Sequence, residues 1–195
     1  VVKEQTLQIV ETAAPTLSAH ADTKPGLVPL RPLPVRLLAA IAVDYSFSAR
    51  FEVVPGPLPG QRTSARVHRR ATFDIWLIRW GAGSRTVLHD HGGSAGALYV
   101  AAGDLVERHP QPCRTRPCGT AAGFARPLRR ELRERDRRPM PASHVHEVAN
   151  ESDVTAASIH VYSPPLEAMH HYELTDASEL RVMRRELVEM DTVRR

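Results

Sequence analysis

Two cysteines, Cys113 and Cys118, are all the thiol this sequence contains. They lie in a Pro/Arg/Gly-rich stretch, with no second pair to complete a Cys-type zinc site and without the C-x-x-C spacing of a redox motif. A disulfide scaffold is thereby excluded. Loop thiols in a reducing cytoplasm are expected, a local disulfide between the two being the alternative. Lysine is as scarce, occurring only as Lys3 and Lys24, so the formal charge of +4 and the pI near 9.5 are carried by arginine. That skew fits a GC-rich coding bias better than a nucleic-acid surface, which needs its cations on one face of a recognisable module. The densest basic stretch, Arg126 to Arg138, is interleaved with Glu131, Glu134 and Asp136 and reads as a solvated, self-paired segment. Long apolar runs are also missing: Leu37–Val43 and Ala95–Ala102 are far too short to span a bilayer. The opening Val1-Val2-Lys3-Glu4 has no apolar stretch, so no secretory signal is expected there, and the lack of a starting Met leaves room for an upstream piece.

What is present is enough for a packed domain. The chain has 195 residues, 42% of them hydrophobic and 25% charged, which suits one domain with a real core. Residues 1–48 read as mostly helical, with Leu7, Ile9 and Val10 in one segment, Leu37, Leu38, Ile41 and Val43 in another, and a proline-rich break at Pro25–Pro34. From Phe51 the character changes to short runs rich in Val, Ile, Trp and Tyr between turn residues. Ala65–Arg69, Phe73–Trp80, Thr86–Asp90, Ala97–Ala101 and Thr155–Tyr162 are the strand candidates, and they predict a β-barrel over 49–172. Pro110–Pro141 is poorly patterned and reads as a long excursion. The tail has Leu180, Met183, Leu187 and Met190 at helical spacing, which predicts a C-terminal helix within 173–195. The fold class expected is mainly β, a barrel flanked by helices at both ends, as a single domain over 1–195.

Histidine is abundant, with ten in the chain. His89 and His91 bracket Asp90, and on an extended backbone alternate side chains share a face, so two imidazoles point one way and the carboxylate the other. Such a pair can chelate a divalent metal, although His-x-His alone is equally an ordinary polar strand end. Its surroundings add weight. The spacing Gly83-x5-His89-x-His91-x4-Gly96-x6-Gly103 resembles the first motif of the cupin superfamily, with Gly96 where a Glu is usual. Pro141-Ala-Ser143-His144-Val-His146-Glu-Val-Ala-Asn150 resembles the second, with Ser143 where a Gly is usual and His146 as the third metal histidine. His144 shares parity with His146 and is the competing ligand. Three neutral imidazoles without a carboxylate leave the charge of a dication uncompensated and three positions open, unlike the two-His-one-carboxylate triad. A centre of that kind favours an anionic, chelating substrate such as a thiolate with a neighbouring amine.

A closer family resemblance follows. The stretch from Trp80 to Gly96, with Trp80-Gly-Ala-Gly and His89-Asp-His91-Gly-Gly-Ser94, is similar to bacterial cysteine dioxygenases of type I. So is Ser158-Ile-His160-Val-Tyr162-Ser163-Pro164-Pro165-Leu166, and the likeness runs from about Arg62 to Tyr172. The resemblance implies Fe(II) held by His89, His91 and His146, and a catalytic relay of Ser158, His160 and Tyr162. These three share strand parity and could hydrogen-bond in series, though a buried Tyr bonded to a His is also common in ordinary strands. It implies an arginine gripping the substrate carboxylate, with Arg66 ahead of Arg62 as substrate-binding residue. In animal members a Cys at the position of Gly96 is crosslinked to the tyrosine matching Tyr162. Glycine cannot form that bond. A bend at Ser163-Pro164-Pro165, with a cis bond as an option, is expected, and His170 and His171 are expected at the surface or pocket rim.

The function implied is oxidation of L-cysteine with O2 to cysteine sulfinic acid. Turnover of another small thiol such as 3-mercaptopropionate, a non-catalytic metal- or ligand-binding cupin, and a three-histidine zinc hydrolase are the alternatives. Nothing in the sequence calls for a nucleic acid, a membrane or a protein partner, so a cytoplasmic monomer is expected.

Overall fold

The computed structural model describes residues 31–48, 56–112, 124–175 and 179–188. The predicted helix around Leu7–Val10, both cysteines and Met190 lie outside these residues. One helix, α1 (Val35–Ser48), starts directly after Pro34, whose carbonyl accepts the Leu37 and Leu38 amides. Ten strands follow: β1 (Arg62–Arg69), β2 (Asp74–Trp80), β3 (Ala95–Ala102), β4 (Leu105–Pro112), β5 (Phe124–Leu132), β6 (Arg137–Met140), β7 (Glu147–Ala149), β8 (Ala156–Ser163), β9 (Ala168–Leu174) and β10 (Leu180–Leu187). They form three antiparallel sheets, ordered β1-β2-β8-β3-β6, β5-β4-β7 and β10-β9. The chain is mainly β, with a jelly-roll arrangement as expected.

Strand alternation divides the five-stranded sheet into two faces. On one, Ile75, Ala97, Tyr99, Ile159 and Val161 pack against Leu38, Ala39 and Ala42 of α1. Leu38 and Ala42 are one helical turn apart and fully buried, so this turn is the apolar seam that fixes the helix. Burying Leu38 contributes roughly 1.5–3 kcal/mol. On the other face Trp80, Leu98, Val100, Ala156 and Tyr162 join Leu105, Leu132, Met140, Val148, Leu166 and Val188 from the remaining strands. This second face is the barrel interior.

Three expectations are corrected. The Pro110–Pro141 excursion contains β5 and β6, built on alternation too short and too charged to read by eye. Its basic residues are paired only in part within the segment: Arg129 bonds Glu131, but also Glu151, and Arg138 bonds the buried Glu107 of β4. Thr86–Asp90 forms only isolated bridges, from His89 to His146 and His171, rather than a strand. The C-terminal segment is β10, not a helix. A bulge between Val182 and Arg184 shifts its register against β9, so the helix-like spacing of Leu180, Met183 and Leu187 is accommodated by a strand. Met183 and Leu187 end up 55% and 52% exposed, while Glu186 is buried. Pairing with β9 outweighs the local pattern. No helix among the described residues is long and apolar enough to cross a membrane.

Candidate metal centre

Three imidazoles meet inside the barrel. His89 and His91 come from the irregular segment before β3, and His146 precedes β7. Their ring centroids are 4.9 to 5.3 Å apart, and one nitrogen from each lies within 4.8 Å of the others. The chain turns away after His91 through Gly92 and Gly93, with φ of 58° and 90°. A Cβ on Gly92 would stand 2.5 Å from the Ala168 carbonyl oxygen, so glycine is required for both shape and clearance. Asp90 points the other way, as alternation predicts. It accepts the Gly92 and His170 amides, the His170 Nδ1–H and the Tyr172 hydroxyl, which ties the ligand segment to β9.

The centre is built to be neutral and donor-rich. Burial, then the proximity of the other histidines, pushes His89 and His91 well below the ordinary imidazole range, and burial also lowers His146. Uncharged imidazole is the metal-binding form. His89 Nδ1 donates to the Val87 carbonyl at 2.8 Å, leaving its Nε2 lone pair for the centre. His146 Nδ1 donates to Glu107 at 3.0 Å, and its buried Nε2 has no hydrogen-bond partner among the described residues. Neither nitrogen of His91 has one. Orphaned buried nitrogens on His91 and His146, gathered within 4.8 Å of a His89 nitrogen, are what a divalent cation would satisfy, so these residues fit the metal the resemblance implies. Glu107, His144 and His146 form a second group with the spacing of metal ligands. There, however, the carboxylate is already occupied by N–H donors.

Beside the centre, Ser158, His160 and Tyr162 follow one another on the inner face of β8. Ser158 Oγ lies 2.9 Å from His160 Nε2, and His160 Nδ1 lies 3.0 Å from the Tyr162 hydroxyl. The Tyr162 ring stacks obliquely on His91, centroids 4.9 Å apart. Trp80, which opens the family-like stretch but was assigned no role from sequence, extends the chain: its indole N–H donates to Ser158 Oγ at 2.9 Å. That bond sets a direction. An indole nitrogen only donates, so the fully buried Ser158 accepts from it and passes its own proton to His160 Nε2. His160 is then the Nδ1–H tautomer, donating to the tyrosine oxygen, and the Tyr162 proton is left to point into the interior. Burial, reinforced by His146 and Arg62, lowers the His160 pKa to about 3, so the imidazole stays neutral. Burial, and secondarily Asp74, raises the Tyr162 phenol far above its usual value, keeping it a donor.

The arginine candidates share this face of β1, Arg62 opposite Trp80 and Arg66 opposite Trp76. The Arg66 guanidinium lies 5.4 Å from the centre of the Trp76 ring and within reach of the Asp74 charge. Arg62 is partly open to water yet hemmed in by protein. Loss of hydration lowers its pKa against the opposing pull of Glu186, and its charge reaches His89, His160 and Tyr162. Gly96 lies against the tyrosine: a Cβ there would be 2.9 Å from Tyr162 Cδ1 and 3.0 Å from the Met140 methyl. The Ser163–Pro164 bond after the relay is cis.

His171 departs from its expected place. It is only 7% exposed, with its ring 6.2 Å from His89 and its Nε2 bonded to Glu186 at 2.7 Å. Alternation on β9 puts it in phase with Met169, which packs on the interior core, so it faces inward while His170 turns out toward Asp90. Glu186, also missed, gave no sequence signal because its partner His171 lies on a different strand.

The sequence profile of the family described as cysteine dioxygenase type I matches residues 49–175. Among solved structures, a protein from Thermus thermophilus shares 21% identity at a TM-score of 0.45, with 63% of this chain and 95% of that one covered. A cupin-superfamily sugar phosphate isomerase from Silicibacter pomeroyi shares 20% identity at a TM-score of 0.45, with 68% and 84% covered. No curated protein matches the sequence.

Proposed function

Because this chain belongs to the cysteine dioxygenase type I family, we propose that it is a non-haem iron thiol dioxygenase converting L-cysteine and O2 to cysteine sulfinic acid. The observation that carries this reading is the convergence of three neutral imidazoles on one point beside a directed Ser158–His160–Tyr162 chain. Fe(II) held by His89, His91 and His146 supplies the redox chemistry that lets O2 react with a bound thiolate, a role that redox-inert zinc cannot take.

The protein's own groups bind and orient. Arg66 grips the substrate carboxylate with its planar fork, which matches a carboxylate through two parallel hydrogen bonds. Arg62 is the second candidate, favoured by its electrostatic reach to His89, His160 and Tyr162. Tyr162 offers its hydroxyl proton to the reacting oxygen atoms, and His160 and Ser158 hold that hydroxyl in place. Two guanidinium groups on the same face of β1, Arg66 half-buried and Arg62 more exposed, favour thiols bearing a carboxylate, so 3-mercaptopropionate is the alternative substrate and cysteamine a poor one. The enzyme acts as a cytoplasmic monomer on small molecules.

The test is oxygen uptake by Fe(II)-loaded protein offered cysteine, cysteamine and 3-mercaptopropionate, with the product mass measured. Uptake with cysteine and a product heavier by two oxygens is expected. Uptake with 3-mercaptopropionate alone would overturn the substrate, and no uptake with any thiol would leave a binding cupin. Replacing the gripping arginine by alanine is expected to raise KM about 10–100-fold, from the loss of charge-assisted bonds. Arg66→Ala and Arg62→Ala, measured side by side, identify which residue that is.

A further inference from the structure

Glu107 sits on β4, a different sheet from the Ser158–His160–Tyr162 chain, and none of its side chain reaches solvent. A fully buried carboxylate is rare and needs its lone pairs occupied. Here they are. Oε1 accepts the His144 Nε2–H at 2.8 Å and the His146 Nδ1–H at 3.0 Å, and Oε2 accepts Arg138 Nε at 2.5 Å. The permanently charged Arg138 guanidinium and the two imidazole N–H donors hold it as a carboxylate.

We infer that Glu107 is a positioning residue of the metal centre: it returns, through His146, the negative charge that Gly96 leaves out of the ligand set. The inference rests on the reading of His89, His91 and His146 as the metal site. Three features support it. First, a carboxylate accepts only, so the bond to Glu107 places the His146 proton on Nδ1 and leaves Nε2 as the lone pair facing the other two imidazoles. Second, the three imidazoles are unequally supported: His146 by a carboxylate, His89 by the Val87 carbonyl, and His91 by no protein hydrogen bond among the described residues. A carboxylate acceptor makes imidazole a stronger electron donor than a carbonyl does, so His146 is the anchoring ligand. Third, the alternative grouping of Glu107, His144 and His146 would have to strip the N–H proton from both histidines at Oε1, beside the Arg138 charge on Oε2, before a cation could enter. His144 is therefore a strut for Glu107 and not a ligand.

The test uses the full chain, stripped of metal and titrated with Co(II), with affinity by calorimetry and geometry by the visible spectrum. The wild type is expected to bind one Co(II) per chain. Glu107→Gln, which keeps shape and one acceptor but removes the charge, is expected to bind about 10–100-fold more weakly. His144→Gln is expected to keep one Co(II) with the wild-type spectrum. Nitrogen-15 chemical shifts of His146 in the metal-free wild type provide a readout that needs no variant: Nδ1 should be protonated and Nε2 not. Equal Co(II) affinity in wild type and Glu107→Gln would overturn the proposal. So would a proton on His146 Nε2, or loss of Co(II) binding in His144→Gln with retention in His91→Ala. A wild type that binds no Co(II) would overturn the metal site itself, a failure distinct from the others.

Discussion

The two faces of the five-stranded sheet are made by the same strands and do opposite things. Along β8, Ile159 and Val161 turn out to α1, while Ser158, His160 and Tyr162 turn into the barrel. The outer face is held by apolar contact, which tolerates exchange of one aliphatic group for another of like volume. The inner face is held by directed hydrogen bonds, in which each atom has one partner and one polarity. Stability should therefore respond to the outer face and turnover to the inner one.

The sharpest separation should come from Leu38→Ala. It is expected to cost about 2–5 kcal/mol in chemical denaturation while leaving kcat unchanged in the protein that remains folded. A large fall in kcat would show that α1 is coupled to the site. Next in size is Asp74, which lies on β2 opposite Tyr162. Burial raises its pKa from 3.8 to about 6, partly offset by the Leu166 amide and the charges of Arg66 and Arg69. The folded state thus holds the Asp74 proton more tightly than the unfolded chain. The corresponding stability is full below about pH 4 and is lost as pH rises through about 6, by up to roughly 3 kcal/mol. Asp74→Asn should remove that slope from the pH dependence of unfolding, and an unchanged slope would locate it elsewhere.

Tyr162→Phe is expected to lower kcat about 100-fold, equivalent to about 2.7 kcal/mol in the barrier, with little change in melting temperature. Undiminished turnover would remove the hydroxyl from the chemistry. The smallest effect, about 1–3 kcal/mol, is expected for Gly96→Ala, whose new methyl must push back Tyr162 or Met140. It should also lower turnover, because at Gly96 packing and chemistry meet on one atom.

The parts of this molecule legible in sequence are those fixed by short-range spacing. His89-x-His91, His146 within its motif, and Ser158-x-His160-x-Tyr162 all come together because alternation on an extended chain is nearly independent of what surrounds it. The residues that escaped depend on distant partners. Glu107 follows two apolar residues that are both buried, Leu105 and Val106, so parity does not say which way the carboxylate faces, and its histidine partners are 37 and 39 residues away. Trp80 read as an aromatic of a strand, and only pairing with β8 brings its N–H onto Ser158. The tail failed for a related reason. The bulge at Val182/Arg184 adds a residue to one strand only, which turns a two-residue period into something that imitates a helix.

That tail has a practical bearing on where the chain can be cut. The family match stops at residue 175, yet β10 begins at Leu180 and pairs with β9 beyond it. Its Glu186 takes the His171 proton donor at 2.7 Å, and Val188 caps the interior core and donates its amide to the Glu167 carbonyl at 2.9 Å. A recombinant fragment ended at the family boundary would strip a counter-charge from Arg62 and open the floor beside His89 to water. Any version made for crystallisation or assay should run at least through Val188.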